Sequence, residues 1–326
     1  YASRAKLLSD IDDQGAHSFQ IPANVFYQAH PSMDGKNLIK VVKDDLAKAL
    51  VLIYPYVVDL SNGRTGNLLL IVQGKVCLSL RPMLMLPLRI SEMRSTLNFL
   101  LRTCYMTFLV LMGCLALPCS YVRRNEEKLL TPLVVPVWDR ERLVANKTPK
   151  VTFSHPEYDQ HKDDHDNSHE TREPELVRLL FAINARNKFN SPLAKGFYGN
   201  ACAIAAVCAK VGDICKNKVE YIVDLITSAK SKVNEDYMKS IMKLMVKRDR
   251  PRSTLRSTYI ISDLRHLGFA DVNFWWGEAY FRGPANNGSI PNTTFFISFK
   301  NKNVENMIMV PISLKPKVIE VFVKEL

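Results

Sequence analysis

The sequence predicts an α/β protein built as two domains with mixed sheets. Helical apolar spacing and strand-like runs occur in both halves, without internal repeats and without a GxGxxG loop. That mixture favours helices layered on sheets over a dinucleotide-binding domain. A polar stretch from His155 to Glu175, rich in Asp and His, has no apolar period and reads as a linker. The 326 residues, 47% apolar, suffice for two cores. The expected division is residues 1–154, a linker over 155–175, and residues 176–326.

SFQIPANVFYQ, Ser18 to Gln28, reads as a strand, and HPSMDGKN after it as a turn. Leu38, Val41, Val42, Leu46, Ala49, Leu50 and Ile53 repeat at three-and-four spacing, which predicts a helix ending before Tyr54-Pro55. Val219, Ile222, Val223, Ile226 and Ala229, then Met238, Ile241 and Met245, predict helix from Lys218 to Val246, broken at Asn234-Glu235-Asp236. DVNFWWGEAYFRGP, Asp271 to Pro284, reads as an aromatic strand end entering a Gly-Pro turn. STYIISDL, TTFFISFK and NMIMVPISL are strand-like, and KVIEVFVKEL predicts a closing helix.

Seven cysteines, at 77, 104, 114, 119, 202, 208 and 215, form no CxxC pair. This argues against a disulfide framework and a zinc site and fits a reducing compartment. His161, Asp163, Asp164, His165, Asp166 and His169 follow no standard ligand spacing and read as solvated linker, so no metal is expected. The net charge of +12 would suit a nucleic-acid binder, but no basic–aromatic patch accompanies it. The uncharged run from Thr103 to Val122, flanked by Arg102 and Arg123-Arg124, has the length of a membrane span.

From Asn184 onward, NARNKFNSPLAKGFYGNACA, EDYMKSIMKLMVKRDRP, TYIISDLRHLGFADVNFWWGEAYFRGPA and VPISLKPKVIEVFVKEL resemble the C-terminal half of the plant BAHD acyltransferases. The resemblance is strongest to their alcohol acyltransferase branch, the benzyl alcohol O-benzoyltransferases among them. LLSDIDDQ, FQIPANVFYQAHPSMDGKN and ALVLIYPY resemble the N-terminal half, and PLVVPVWDRERLVANKTPKVTFSHPEYD the middle. The resemblance implies the two-domain chloramphenicol-acetyltransferase-like architecture with the reaction channel between the halves. It implies acyl transfer from acyl-CoA, a co-substrate rather than a bound cofactor, to a small alcohol. A cytoplasmic monomer without membrane or nucleic-acid partner is expected.

NFWWG, Asn273, Phe274, Trp275, Trp276 and Gly277, stands where the family carries DFGWG. By that resemblance the motif shapes the domain and the coenzyme A channel, and its Asp pairs with an arginine at the position of Arg186. Asn273 can accept a hydrogen bond but not a charge-assisted one. Trp275 needs room where the family has only a hydrogen atom. Ser262 and Asp263 fall where the family lines its pocket, and equally read as a polar strand end facing solvent. Tyr198, Gly199 and Asn200 match a segment near the channel, or simple turn chemistry.

In the family, the histidine of an HxxxD motif removes the proton from the alcohol, and an imidazole suits that task near neutral pH. No HxxxD stands between IVQGK and PLVVPVWDRE, where the family has it. A literal match at His155-Pro156-Glu157-Tyr158-Asp159 aligns with the linker after the first domain and reads as solvated, so the catalytic residue is left unassigned. Between Leu68 and Tyr121 the resemblance stops. Read one frame over, Met106-Thr107 must give Asp and Met112-Gly113 must give Gly, and the shifted stretch resembles the family again. The segment reads as frameshifted. As written it carries five basic residues against Glu92, which accounts for part of the +12 and makes the apolar run an accident of frame. The expectation is an impaired alcohol acyltransferase; the rival is a catalytically dead acyl-CoA binder or a chain that does not fold.

Overall fold

The computed structural model describes residues 5–14, 23–27, 58–62, 68–72, 135, 137–145, 150–158, 176–197, 199–253, 255, 257–266, 279–284, 292–300, 306–312, 314 and 316–325. The predicted helix over 38–53, the apolar run over 103–122 and most of the proposed linker lie outside them.

Two small sheets involve the N-terminal half. β4 (Leu68–Val72) lies between β1 (Ala5–Leu7) and β3 (Val58–Asn62), antiparallel to both. β2 (Ala23–Tyr27), inside the predicted strand, pairs with β8 (Ala279–Pro284) from the far end of the chain, with a bulge between Phe26 and Tyr27.

The main sheet belongs to the C-terminal half and runs β10-β9-β7-β5-β6. β5 (Leu176–Asn184) pairs antiparallel with β6 (Cys202–Lys210) along its whole length, from Leu176↔Lys210 to Asn184↔Cys202. β5, β7 (Thr258–Asp263) and β9 (Thr293–Lys300) are parallel, and β10 (Asn306–Met309) returns antiparallel to β9. Parallel neighbours need long crossovers. The crossover from β5 to β7 holds β6, α1 (Val211–Lys216), α2 (Val219–Lys232) and α3 (Glu235–Lys247). The closing helix is α4 (Pro316–Glu325).

The predicted break is the N-cap of α3: the Asn234 side chain accepts from the Tyr237 amide at 2.9 Å. Glu235 and Asp236 follow in the first turn, where acids suit the helix dipole. α3 buries Tyr237, Met238, Ser240, Ile241, Met242, Leu244 and Met245. They pack with Phe181, Ala203, Ala205 and Val207 of β5 and β6, and with Ile11, Leu143 and Tyr158 from earlier in the chain. One core therefore takes in both halves. β5 and β6 carry no expectation in the sequence reading, because alanine-rich β6 lacks the β-branched signature; pairing and burial select the strand instead.

Candidate functional site

Three polar clusters surround this core. The first is built by the N-terminal loop Ser9–Gln14, whose Asp10, Asp12 and Asp13 are buried. Ser9 and Asp12 cap each other, the serine hydroxyl donating to Asp12 Oδ2 at 2.7 Å and accepting the Asp12 amide at 3.0 Å. Asp12 Oδ2 also takes Arg140 Nε at 2.6 Å, and its Oδ1 takes the Asn200 amide at 2.8 Å. The Arg140 guanidinium carbon sits over Trp138, 3.6 Å from the ring centroid. A Cβ on Gly199 would come within 2.9 Å of Arg140 Nη2 and 3.0 Å of Phe197, so a side chain there would force the arginine to shift. Arg250, left-handed at φ 57°, reaches back to Asp13 and lies 3.5 Å from Asp10. Asp10 accepts the Ala145 amide at 2.7 Å, but burial outweighs that bond and Arg250 and raises its carboxyl pKa.

Arg186 joins this cluster. Its Nη2 donates to the Gly199 carbonyl at 2.8 Å, beside Asn200. Arg186, Gly199 and Asn200, singled out separately in the sequence, are thus brought together. Asn200 is buried and donates its backbone N–H to Asp12. Tyr198 and Asn273 to Gly277 lie outside the described residues, as does any pairing of Arg186 with Asn273.

The second cluster ends β7. Ser262 and Asp263 do not act as one polar pair: Ser262 is buried, while Asp263 is exposed. Asp263 is held by Arg265, with Nε at 2.8 Å and Nη2 at 2.6 Å, and this pairing lowers its carboxyl pKa. Asp263 faces solvent and Ser262 does not.

The third cluster corrects the linker reading of His155. The chain from His155 to Tyr158 forms a short 3-10 turn rather than a solvated connection, because its side chains find partners in the core. His155 is 4% exposed and Glu157 0%. His155 Nδ1 stands 2.9 Å from Glu157 Oε1, and Nε2 stands 2.8 Å from Ser240 Oγ on α3. The Tyr158 hydroxyl donates to Gln14 at 2.5 Å. Burial, then the Glu157 charge, raises the Tyr158 pKa.

Sequence reading missed the acidic loop, Arg140 and Arg250. Its signal was Ile11 set among Asp10, Asp12 and Asp13, which marks a loop that goes inside. A second literal HxxxD, His30-Pro31-Ser32-Met33-Asp34 with Gly35 behind it, also went unremarked and lies outside the described residues. Among the described residues no group of His, Cys, Asp and Glu could hold a metal ion, and no helix is long and apolar enough to cross a membrane.

A mixed sheet fed by long crossovers, with a core shared by both halves, is the architecture of the BAHD acyltransferases, and the chain belongs to this Transferase family. The family profile matches residues 165–326. The chain is 33% identical to Benzyl alcohol O-benzoyltransferase of Nicotiana tabacum, over 98% of this chain and 88% of that one. It is 29% identical to Alcohol acyl transferase 1 allele GSd of Malus domestica, over 98% and 89%. The first alignment runs over 407 positions against 326 residues here, so it passes over stretches that the tobacco protein has and this chain lacks. The fold matches the crystal structure of F. graminearum TRI101 complexed with coenzyme A and T-2 mycotoxin, with a TM-score of 0.62 at 10% identity over 98% and 97% of the chains.

Proposed function

We propose that this chain is by descent an acyl-CoA-dependent alcohol O-acyltransferase of the benzyl alcohol O-benzoyltransferase kind, impaired because the family's base is missing. The observation that carries the reading is the identity to the tobacco enzyme along nearly the whole chain. Its substrates are an acyl-CoA and a small alcohol, without a resident cofactor. It works as a cytoplasmic monomer, apart from membranes and nucleic acid.

The chemistry explains the impairment. An alcohol is a weak nucleophile at neutral pH, and a positioned base contributes on the order of 100- to 10,000-fold. The sequence has no HxxxD between Val72 and Pro132, and the length of the tobacco alignment fits a segment lost there. His155 offers no substitute, since both its ring nitrogens face protein partners. A frameshifted reading of 68–121 alters the residues there without removing any, so the missing segment, placed between Val122 and Arg123, is a separate loss.

The rival reading is an acyl-CoA binder without turnover, favoured by the same missing segment. Calorimetry with benzoyl-CoA, beside chromatography of benzyl benzoate from benzyl alcohol, tests both. The proposal expects heat of binding with a trace of product. Binding with no product at all favours the rival, and no binding by a folded sample removes both.

A further inference from the structure

Ser240, His155 and Glu157 have the spacing of a nucleophile, base and orienting acid: 2.8 Å from Ser240 Oγ to His155 Nε2, and 2.9 Å from Nδ1 to Glu157 Oε1. In a hydrolytic triad the serine oxygen keeps a lone pair free for attack. Here it does not. Ser240 Oγ accepts the Thr152 amide at 3.1 Å and the Phe153 amide at 3.0 Å. A hydroxyl has two lone pairs and one proton. With both lone pairs engaged, the proton must go to His155 Nε2.

That fixes the remaining protons. If Nε2 accepts, Nδ1 carries the ring proton and donates it to Glu157 Oε1. Glu157 Oε1 also accepts the Tyr237 hydroxyl at 2.9 Å. Burial, and then the Glu157 charge, raises the Tyr237 pKa, so it remains a phenol that can donate. An imidazolium would bring a third donor to Ser240 Oγ and leave the serine proton without an acceptor. The Nε2–H tautomer would do the same and turn the Nδ1 lone pair onto the carboxylate. The rings reinforce the arrangement: Tyr237 lies 4.9 Å from His155 and 5.3 Å edge-on from Phe153.

We propose that Ser240, His155, Glu157 and Tyr237 form a proton-ordered clasp that seats residues 152–158 on α3, with His155 a neutral positioning residue and Ser240 closed as a nucleophile. Residues 137–145 cross to the C-terminal half just before: the Val137 amide donates to the Gly196 carbonyl at 2.8 Å, and Arg142 Nη1 to the Pro192 carbonyl at 3.1 Å. The clasp adds a second attachment to the C-terminal half, over residues 152–158. The inference rests on this local geometry and stands whether or not the chain turns over acyl-CoA.

The test is nitrogen NMR of the full chain carrying 15N-histidine, with the His155 signals assigned by comparison with His155→Gln. The expected result is a single neutral tautomer at neutral pH, protonated at Nδ1, its N–H protected from exchange. Glu157→Gln should keep that tautomer, because the amide oxygen can still accept both donors, whereas Ser240→Ala should lose the fixed order. A fluorophosphonate probe should leave Ser240 unlabelled. An imidazolium, an Nε2–H tautomer, rapid exchange or labelled Ser240 in the unaltered chain would overturn the proposal, and the probe reads the unaltered chain alone, whether or not a variant folds.

Discussion

Asp10 and Asp263 each stand near an arginine, and their carboxyls shift in opposite directions. Asp10, in the acidic loop, lies 3.5 Å from Arg250, yet its pKa is raised, since loss of water outweighs the amide bond and the charge. Asp263, at the end of β7, is gripped twice by Arg265 in partial contact with solvent, and its pKa is lowered. The distance and number of the bonds, set against burial, decide a charged pair, not the presence of an opposite charge alone. The acidic loop ties the two halves together through Asp12 on the Asn200 backbone N–H and Asp13 on Arg250. The β7 pair is a surface feature with small consequences.

The largest effect should follow from breaking the loop. Asp12→Ala leaves Arg140 buried on Trp138 without its carboxylate and strands the Asn200 amide. Loss of one partner of such a buried pair costs about 3–5 kcal/mol. Urea unfolding should show a much lower midpoint, and an unchanged midpoint would mean the loop does not join the halves.

A smaller loss should come from Gly199→Ala, whose new methyl meets Arg140 within 2.9 Å and Phe197 at 3.0 Å. Overpacking of this kind costs about 1–3 kcal/mol. Thermal unfolding measures it, and pairing it with Asp12→Ala should give less than the sum, because both act on Arg140.

The least effect belongs to Asp263→Asn, below about 1 kcal/mol and fading with salt. The pH dependence separates the regions. The lowered pKa of Asp263 means that its contribution is present above the ordinary carboxyl value of 3.8 and is lost as pH falls through the folded value. Asp10 behaves inversely: its raised pKa makes the folded chain hold a proton longer, so stability falls as pH rises from 3.8 through the raised value. Stability curves of Asp10→Asn and Asp263→Asn between pH 3 and 7 should diverge from the parent in opposite senses.

Much of the C-terminal half was legible. The spacing of Met238, Ile241 and Met245, the break at Asn234, and the runs that became β7, β9, β10 and α4 all carry short-range signals. What could not be read was where polar groups go. HPEYD is polar in sequence, and nothing local reveals that Ser240, eighty-five residues on, draws His155 into the core. Ser262 and Asp263 are neighbours on one strand, but alternation sends one inside and the other out. Arg186, Gly199 and Asn200 were legible through family resemblance alone; the bond from Arg186 to Gly199 and that from Asn200 to the acidic loop were not.

We propose that this acyltransferase fold lacks a working base, with His155 spent on Glu157 and Ser240. The direct measurement is free coenzyme A release from benzoyl-CoA with benzyl alcohol, on purified monodisperse protein, beside its His155→Ala and His30→Ala variants. Release is expected to be no more than marginally above the protein-free control, with no difference between the parent chain and either variant. Strong turnover lost in folded His155→Ala would make HPEYD the active site, strong turnover lost in His30→Ala would give that role to HPSMDG, and strong turnover surviving both would mean another base; each would contradict the claim.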